Sequence, residues 1–173
     1  MIFEGNNIIM LLSLPEWDDR VLKMLEEFNE ERPTLNDMDK STHFTDPEGY
    51  FVSLNFDSNC MTNKQKENAK QGNIYLNQIT LKSKTPLKLP FGIEMGDSYF
   101  DIESKIGVEA EFINEYMQTQ IHWILTDVDK SYQFFCIFNN ENFESLIQIF
   151  IRPVNNDTNY SARKPFIRPK KST

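Results

Sequence analysis

The chain has 173 residues, with 26 acidic against 18 basic side chains for a net charge of −8, and 39% of its residues are hydrophobic. That length makes one domain, or two small ones fused, and no apolar run approaches the roughly 20 residues that span a bilayer. The acid excess argues against a primary nucleic-acid binder, which needs a positive footprint on phosphates. Glu4 and the short apolar run 8–12 fit no signal peptide, so the expected compartment is cytoplasmic.

The first predicted element opens at Pro15-Glu-Trp-Asp-Asp-Arg-Val21. Ser13 and Glu16 have capping-box spacing, and Asp18 and Asp19 stand near the positive end of the helix dipole. Val21, Met24, Leu25 and Phe28 recur at helical intervals as a core face, and Pro33 stops the helix. Asp46-Pro47-Glu48-Gly49 is a turn signal. Behind it, Tyr50, Val52, Leu54 and Phe56 alternate with polar or second-face residues, the pattern of a half-buried strand after a hairpin. A polar loop with Lys64, Lys66 and Lys70 follows, and residues 74–82 read as a strand.

The segment Leu89-Pro-Phe-Gly-Ile-Glu-Met-Gly-Asp-Ser-Tyr-Phe-Asp-Ile-Glu-Ser-Lys-Ile-Gly107 carries the clearest local signals. Pro90, Gly92 and Gly96 mark turns, Asp97 or Ser98 supplies an N-cap, and Asp101 completes a capping box with Ser98. Tyr99, Ile102 and Ile106 share a helix face, and Gly107 can close the helix with positive φ. Strands are then expected at 121–126, at Tyr132–Phe138 (apolar on both faces and so central) and at 146–152, with Ile147, Ile149 and Ile151 on one side and Pro153 closing it. Residues 155–173 form a polar, basic tail, expected to be flexible from 158 onward or to fold back across the acidic body.

The halves resemble each other. Phe44-Thr45-Asp46, Tyr50 and Phe56 correspond to Leu125-Thr126-Asp127, Tyr132 and Phe138, with one extra residue in the second turn. The expected fold is therefore α+β: a mainly antiparallel sheet with two short helices, built as pseudo-symmetric tandem αβββ units. A single domain would cover 1–157, its halves being 13–83 and 97–152.

Catalytic signatures do not emerge. No serine stands in a GxSxG elbow, and Gly92 and Gly96 lack the Lys-Ser/Thr of a phosphate loop. His43 and His122 are the only histidines; both precede hairpin turns, and neither has a ligand or triad partner at a recognised spacing. Cys60 and Cys136 fit no metal motif. The expectation is a protein without catalytic residues, cofactor or metal. The competing reading of a hydrolase using either histidine rests on those residues alone.

Charge is blocked along the chain: net −9 over 1–57, +5 over 58–90, −9 over 91–157 and +5 over 158–173. An acidic body favours a basic protein partner. Four sequence runs carry a resemblance: Leu14-Pro-Glu-Trp-Asp-Asp-Arg-Val-Leu-Lys-Met-Leu25, the strands Tyr-Phe-Val-Ser-Leu-Asn-Phe and Ile-Tyr-Leu-Asn-Gln-Ile-Thr-Leu, and Leu89-Pro-Phe-Gly-Ile…Gly-Asp-Ser…Ile-Gly107. Over 10–152 the chain resembles immunity proteins of bacterial polymorphic-toxin systems, closest to those of contact-dependent growth inhibition. The resemblance implies a non-enzymatic cytoplasmic inhibitor of a cognate basic toxin domain, the C-terminal part of a secreted exoprotein, here a nuclease of the EndoU type. Such a protein has no membrane or nucleic-acid partner. The partner-binding residues expected in the acidic loops are Asp37, Asp39, Asp46, Glu48 and Asp57, with Asp127 and Asp129 in the matching turn. The alternative is a nucleic-acid-binding module made of duplicated β-rich halves, reached through the basic tail.

Overall fold

Local chemistry sets the helices. Ser98 Oγ accepts the Asp101 N–H (3.3 Å) while the Asp101 carboxylate accepts the Ser98 N–H (3.0 Å), a complete capping box. The helix it starts ends at Gly107, which sits at φ 94° and donates its N–H to Glu103 O (2.8 Å). Tyr99 and Ile102 are buried and Ile106 packs at the core margin, as their spacing predicts. The earlier helix differs from expectation at its start. Ser13 lies at φ 65° and Pro15 bridges to Tyr75, so the chain is still turning there, and Asp18 caps instead by accepting the Arg20 N–H at 2.9 Å. Its core stripe of Val21, Met24 and Leu25 is buried as expected.

The computed structural model describes residues 4–28, 41–45, 51–55, 75–127, 130–154 and 162–171. Three helices, α1 (Asn7–Met10), α2 (Asp19–Glu27) and α3 (Tyr99–Ile106), accompany strands β1 (Ser41–Thr45), β2 (Phe51–Asn55), β3 (Gln78–Lys82), β4 (Phe112–Asn114), β5 (Gln120–Asp127), β6 (Lys130–Phe138), β7 (Leu146–Pro153) and β8 (Arg163–Pro165). The strands form one antiparallel sheet in the order β1-β2-β3-β7-β6-β5-β4-β8. This is the expected α+β class. The one-turn helix α1 and the short strands β4 and β8 were not anticipated, because three or four residues leave too little periodicity to read.

The two meanders meet at β3 and β7, where Thr80 opposes Phe150. A two-fold axis through that pair carries β3 onto β7, β2 onto β6 and β1 onto β5. The registers then equate Leu81 with Ile151, Val52 with Phe134, Leu54 with Cys136 and Phe44 with Trp123. The β2-to-β6 offset is the one the sequence similarity implies. The β1-to-β5 offset is not: Phe44 takes the place of Trp123, two residues before Leu125. The turn lengths are also reversed. Asp127 pairs with Lys130 across positions 128–129, whereas Thr45 pairs with Phe51 across 46–50. The sequence comparison aligned the Thr-Asp turn residues, while the backbone aligns ladder partners.

One face of the sheet meets all three helices. Ile79, Leu81, Trp123, Phe134, Phe138, Ile149 and Ile151 join Ile8, Leu12, Val21, Met24, Tyr99 and Ile102 in a single buried cluster. Cys136 is a free thiol within it. A bulge between Ile137 and Phe138 opposes Phe138 to Leu146, so Leu146 turns inward and Ile147 outward at 40% exposure, against the expected three-isoleucine stripe.

Of the two expectations for the C-terminal segment, a flexible tail or one folded back across the body, the described residues follow the second. Residues 162–171 lie on the body: β8 pairs with β4, and the Phe166 N–H donates to Glu111 O at 2.9 Å. The Phe166 ring packs 5.1 Å from Tyr99 and 5.5 Å from Phe143, and Arg168 forms a two-pronged ion pair with Glu103 at 2.8 and 2.9 Å. The domain therefore extends past 157. Truncating Phe166 to alanine is expected to lower the unfolding free energy by about 2–3 kcal/mol in urea denaturation. A loss below about 0.5 kcal/mol would show that the segment contributes no packing.

Candidate functional site

Of the seven acids expected to bind a partner, one lies among the described residues. Asp127 is exposed at the end of β5. Asp37, Asp39, Asp46, Glu48, Asp57 and Asp129 lie outside the described residues, as do Cys60, Pro33 and the lysine-rich loop. Among the described residues no group of three His, Cys, Asp or Glu side chains could hold a metal ion, and no helix is long and apolar enough to cross a membrane.

The register joins residues that the sequence keeps apart. One position from every strand falls in a single cross-strand row: Pro165, Phe112, His122, Phe135, Phe150, Thr80, Ser53 and His43. The two-fold equates Ser53 with Phe135 and His43 with His122. The only two histidines of the chain thus occupy equivalent places in the two units. Separation in the chain hid this, because His43 and His122 are matched through strand pairing and not through local sequence.

Around His122 the row is an aromatic stack. Its ring lies 5.1 Å from Phe112 and 4.5 Å from Phe135, and Phe135 stacks on Phe150 at 4.2 Å and 10°. Arginines close the ends: Arg163 lies 3.9 Å over Phe112, and Arg152 lies 5.1 Å over Phe150 while its Nε donates to Gln78 Oε1 at 2.8 Å. His122 is only 3% exposed, and its Nε2 has no hydrogen-bond partner among the described residues. Desolvation, then the charges of Arg163 and Arg152, push its pKa down to about 4. Phe112 and Phe135 flank this imidazole.

A second set of contacts shows what the cations do. Lys105 pairs with Asp97 at 2.7 Å, and Arg168 with Glu103. Lys130, half-buried, donates to Leu12 O at 2.6 Å and Met10 O at 3.4 Å, which ties the start of β6 to the end of α1. Burial lowers its pKa. Arg152 and Arg163 lie over aromatic rings. Meanwhile Glu26, Glu27, Glu94, Glu109, Glu111, Glu115, Asp127, Glu141 and Glu144 are exposed. The Arg168 guanidinium holds the Glu103 carboxyl below its ordinary range, and the Ser98 N–H does the same for Asp101.

No protein-family model, no curated protein and no solved structure matches this chain.

His122 gives a pH signature. Its folded pKa lies below the ordinary 6.5, so the unfolded chain takes up a proton that the folded ring refuses. Stability from this residue is complete above pH 6.5 and declines as pH falls toward 4, by on the order of 3 kcal/mol. Denaturant titrations of the wild type and His122→Phe across that window should show the wild type losing stability more steeply. Parallel curves would mean the ring is solvated.

Proposed function

We propose that this protein is a cytoplasmic immunity protein that binds a cognate basic toxin domain, a nuclease, and blocks its active site or substrate groove. The supporting observation is the acid excess of the chain, 26 acidic against 18 basic side chains. Lys130, Arg152 and Arg163 are directed to carbonyls and rings of the chain itself, while Glu26 and Glu27 of α2, Glu111 and Glu115 beside β4, and Glu141 and Glu144 of the β6–β7 loop are exposed. A net charge of −8 favours encounter with a cationic partner. The family resemblance of residues 10–152 supplies the class of partner, and an EndoU-type nuclease is its narrowest form.

The duplicated-module alternative receives no support from the described aromatic row. Single-strand binders present ring faces to bases; here the rings stack on one another, lie beneath arginines and are 3–8% exposed at His122, Phe135 and Phe150.

Mixing the protein with the toxin domain encoded immediately upstream should give a stoichiometric complex and abolish toxicity. Association should slow by at least tenfold between 50 and 500 mM salt, as expected for a steered encounter. Full toxin activity in the presence of excess protein would exclude the reading.

A further inference from the structure

We propose that residues 167–171 form a strap that occupies, as an internal ligand, an arginine- and lysine-binding face on α3, and that a cationic segment of the partner docks by displacing it. The strap and the face stand on contacts within the chain; only the identity of the partner rests on the immunity reading.

One helix and the turn after it build the face. Phe100 and Glu103, three residues apart on α3, fall on one side of the helix. Asp101 and Glu109 border them, and both are exposed. The Glu103 carboxylate also accepts from the hydroxyl of Tyr99, a buried residue, so it stays oriented whatever else binds it. Lys105, the one basic residue of α3, is engaged by Asp97 at 2.7 Å. Carboxylates around an aromatic ring make a cradle for a guanidinium or an ammonium group.

The chain's own cations show what fits. Arg168 Nε and Nη2 donate to the two oxygens of Glu103 at 2.8 and 2.9 Å, Nε lies 3.6 Å from Glu109 Oε1, and the guanidinium stands 5.0 Å over the Phe100 ring. Lys171 Nζ lies 5.9 Å over the same ring, and its charge acts on Asp101 and Glu103. The face therefore holds an arginine and a lysine spaced three residues apart.

The strap can leave without unfolding the domain. Among the described residues, Phe166 is the last whose backbone bonds the body, through its N–H on Glu111 O at 2.9 Å, and its ring packs on Tyr99 and Phe143. Beyond it, the described polar and ring contacts are made by side chains at the surface: Ile167 is 88% exposed, and Arg168, Lys170 and Lys171 are exposed. Exposed ion pairs and cation–π contacts are individually weak. Residues 167–171 can thus lift off while Phe166 stays and no ladder hydrogen bond breaks. Their tether keeps them at high local concentration on the face. Single cations are then excluded, and a partner must reproduce several contacts at once to take the strap's place.

The test is an NMR titration of the peptide Ile-Arg-Pro-Lys-Lys-Ser-Thr, residues 167–173, into the full chain and into a chain ending at Phe166. The shortened chain should bind it at least tenfold more tightly, with amide shifts centred on Phe100, Asp101 and Glu103. Glu103→Gln in the shortened chain should weaken binding by about fivefold. Arg168→Ala/Lys171→Ala opens the face in the full chain without shortening it, and should also admit the peptide. Affinities of both opened chains within about twofold of the full chain would overturn the strap. In calorimetry, the upstream-encoded toxin domain should bind the shortened chain about three- to tenfold more tightly than the full chain. Lys23→Gln/Lys84→Gln/Lys88→Gln, the same loss of three positive charges away from α3, should stay within about twofold of wild type. An equal gain in that variant would show that bulk charge alone acts, and would overturn docking on α3. A toxin domain that binds neither chain while the peptide result holds would remove the immunity reading and leave the strap standing.

Discussion

Antiparallel pairing of β3 with β7 is the contact on which the rest depends. The helix-facing sides of β3 and β7 are apolar, and without each other both strands would carry an open edge. Joining Ile79 and Leu81 to Ile151 and Ile149 closes both edges at once and makes one continuous face. Because the two third strands are equivalent, their pairing generates the two-fold, and α2 and α3 necessarily fall on the same side. A single core then forms from both units. The open edges of the sheet move outward to β1 on one side and β8 on the other.

The linker between the units serves that geometry. The Phe91 N–H donates to Asn6 Oδ1 at 2.7 Å, which holds Phe91 at φ 62°, and its ring meets Phe134 edge-on at 5.7 Å. Gly96 and Asp97 exchange hydrogen bonds with Leu146, both at 2.8 Å, so α3 starts where β7 starts. Left-handed backbone at a bulky residue costs of order 1 kcal/mol; here the Asn6 bond and the aromatic contact offset it. The segment Leu89–Gly107 is thus scaffold with defined geometry.

Two polar systems occupy opposite faces of one sheet. On the helix side, Glu103, Arg168 and Tyr99 clamp the C-terminal segment; burial and Glu103 push the Tyr99 phenol up, so it stays neutral and accepts the Ala110 N–H at 3.3 Å. On the other side, the stack from Phe112 to Phe150 encloses His122 as a neutral ring.

The sequence alone determined the elements whose information is local: the capping box at Ser98 and Asp101, the positive-φ closure at Gly107, the core stripe of α2 and the central position of Tyr132–Phe138. It also determined the α+β class, because alternation needs only neighbouring residues. Tertiary structure decided what depends on pairing. It put the α2 cap at Asp18, because Pro15 is held to Tyr75; it turned Ile147 out, because a bulge shifts the register; and it matched Phe44 to Trp123 and His43 to His122, because ladder partners and not turn residues set the equivalence. It also decided between a flexible tail and one folded back, laying residues 162–171 on the body. Phe166 and Arg168 gain their stabilisation from Tyr99 and Glu103, more than sixty residues away, and no local pattern encodes contacts at that distance.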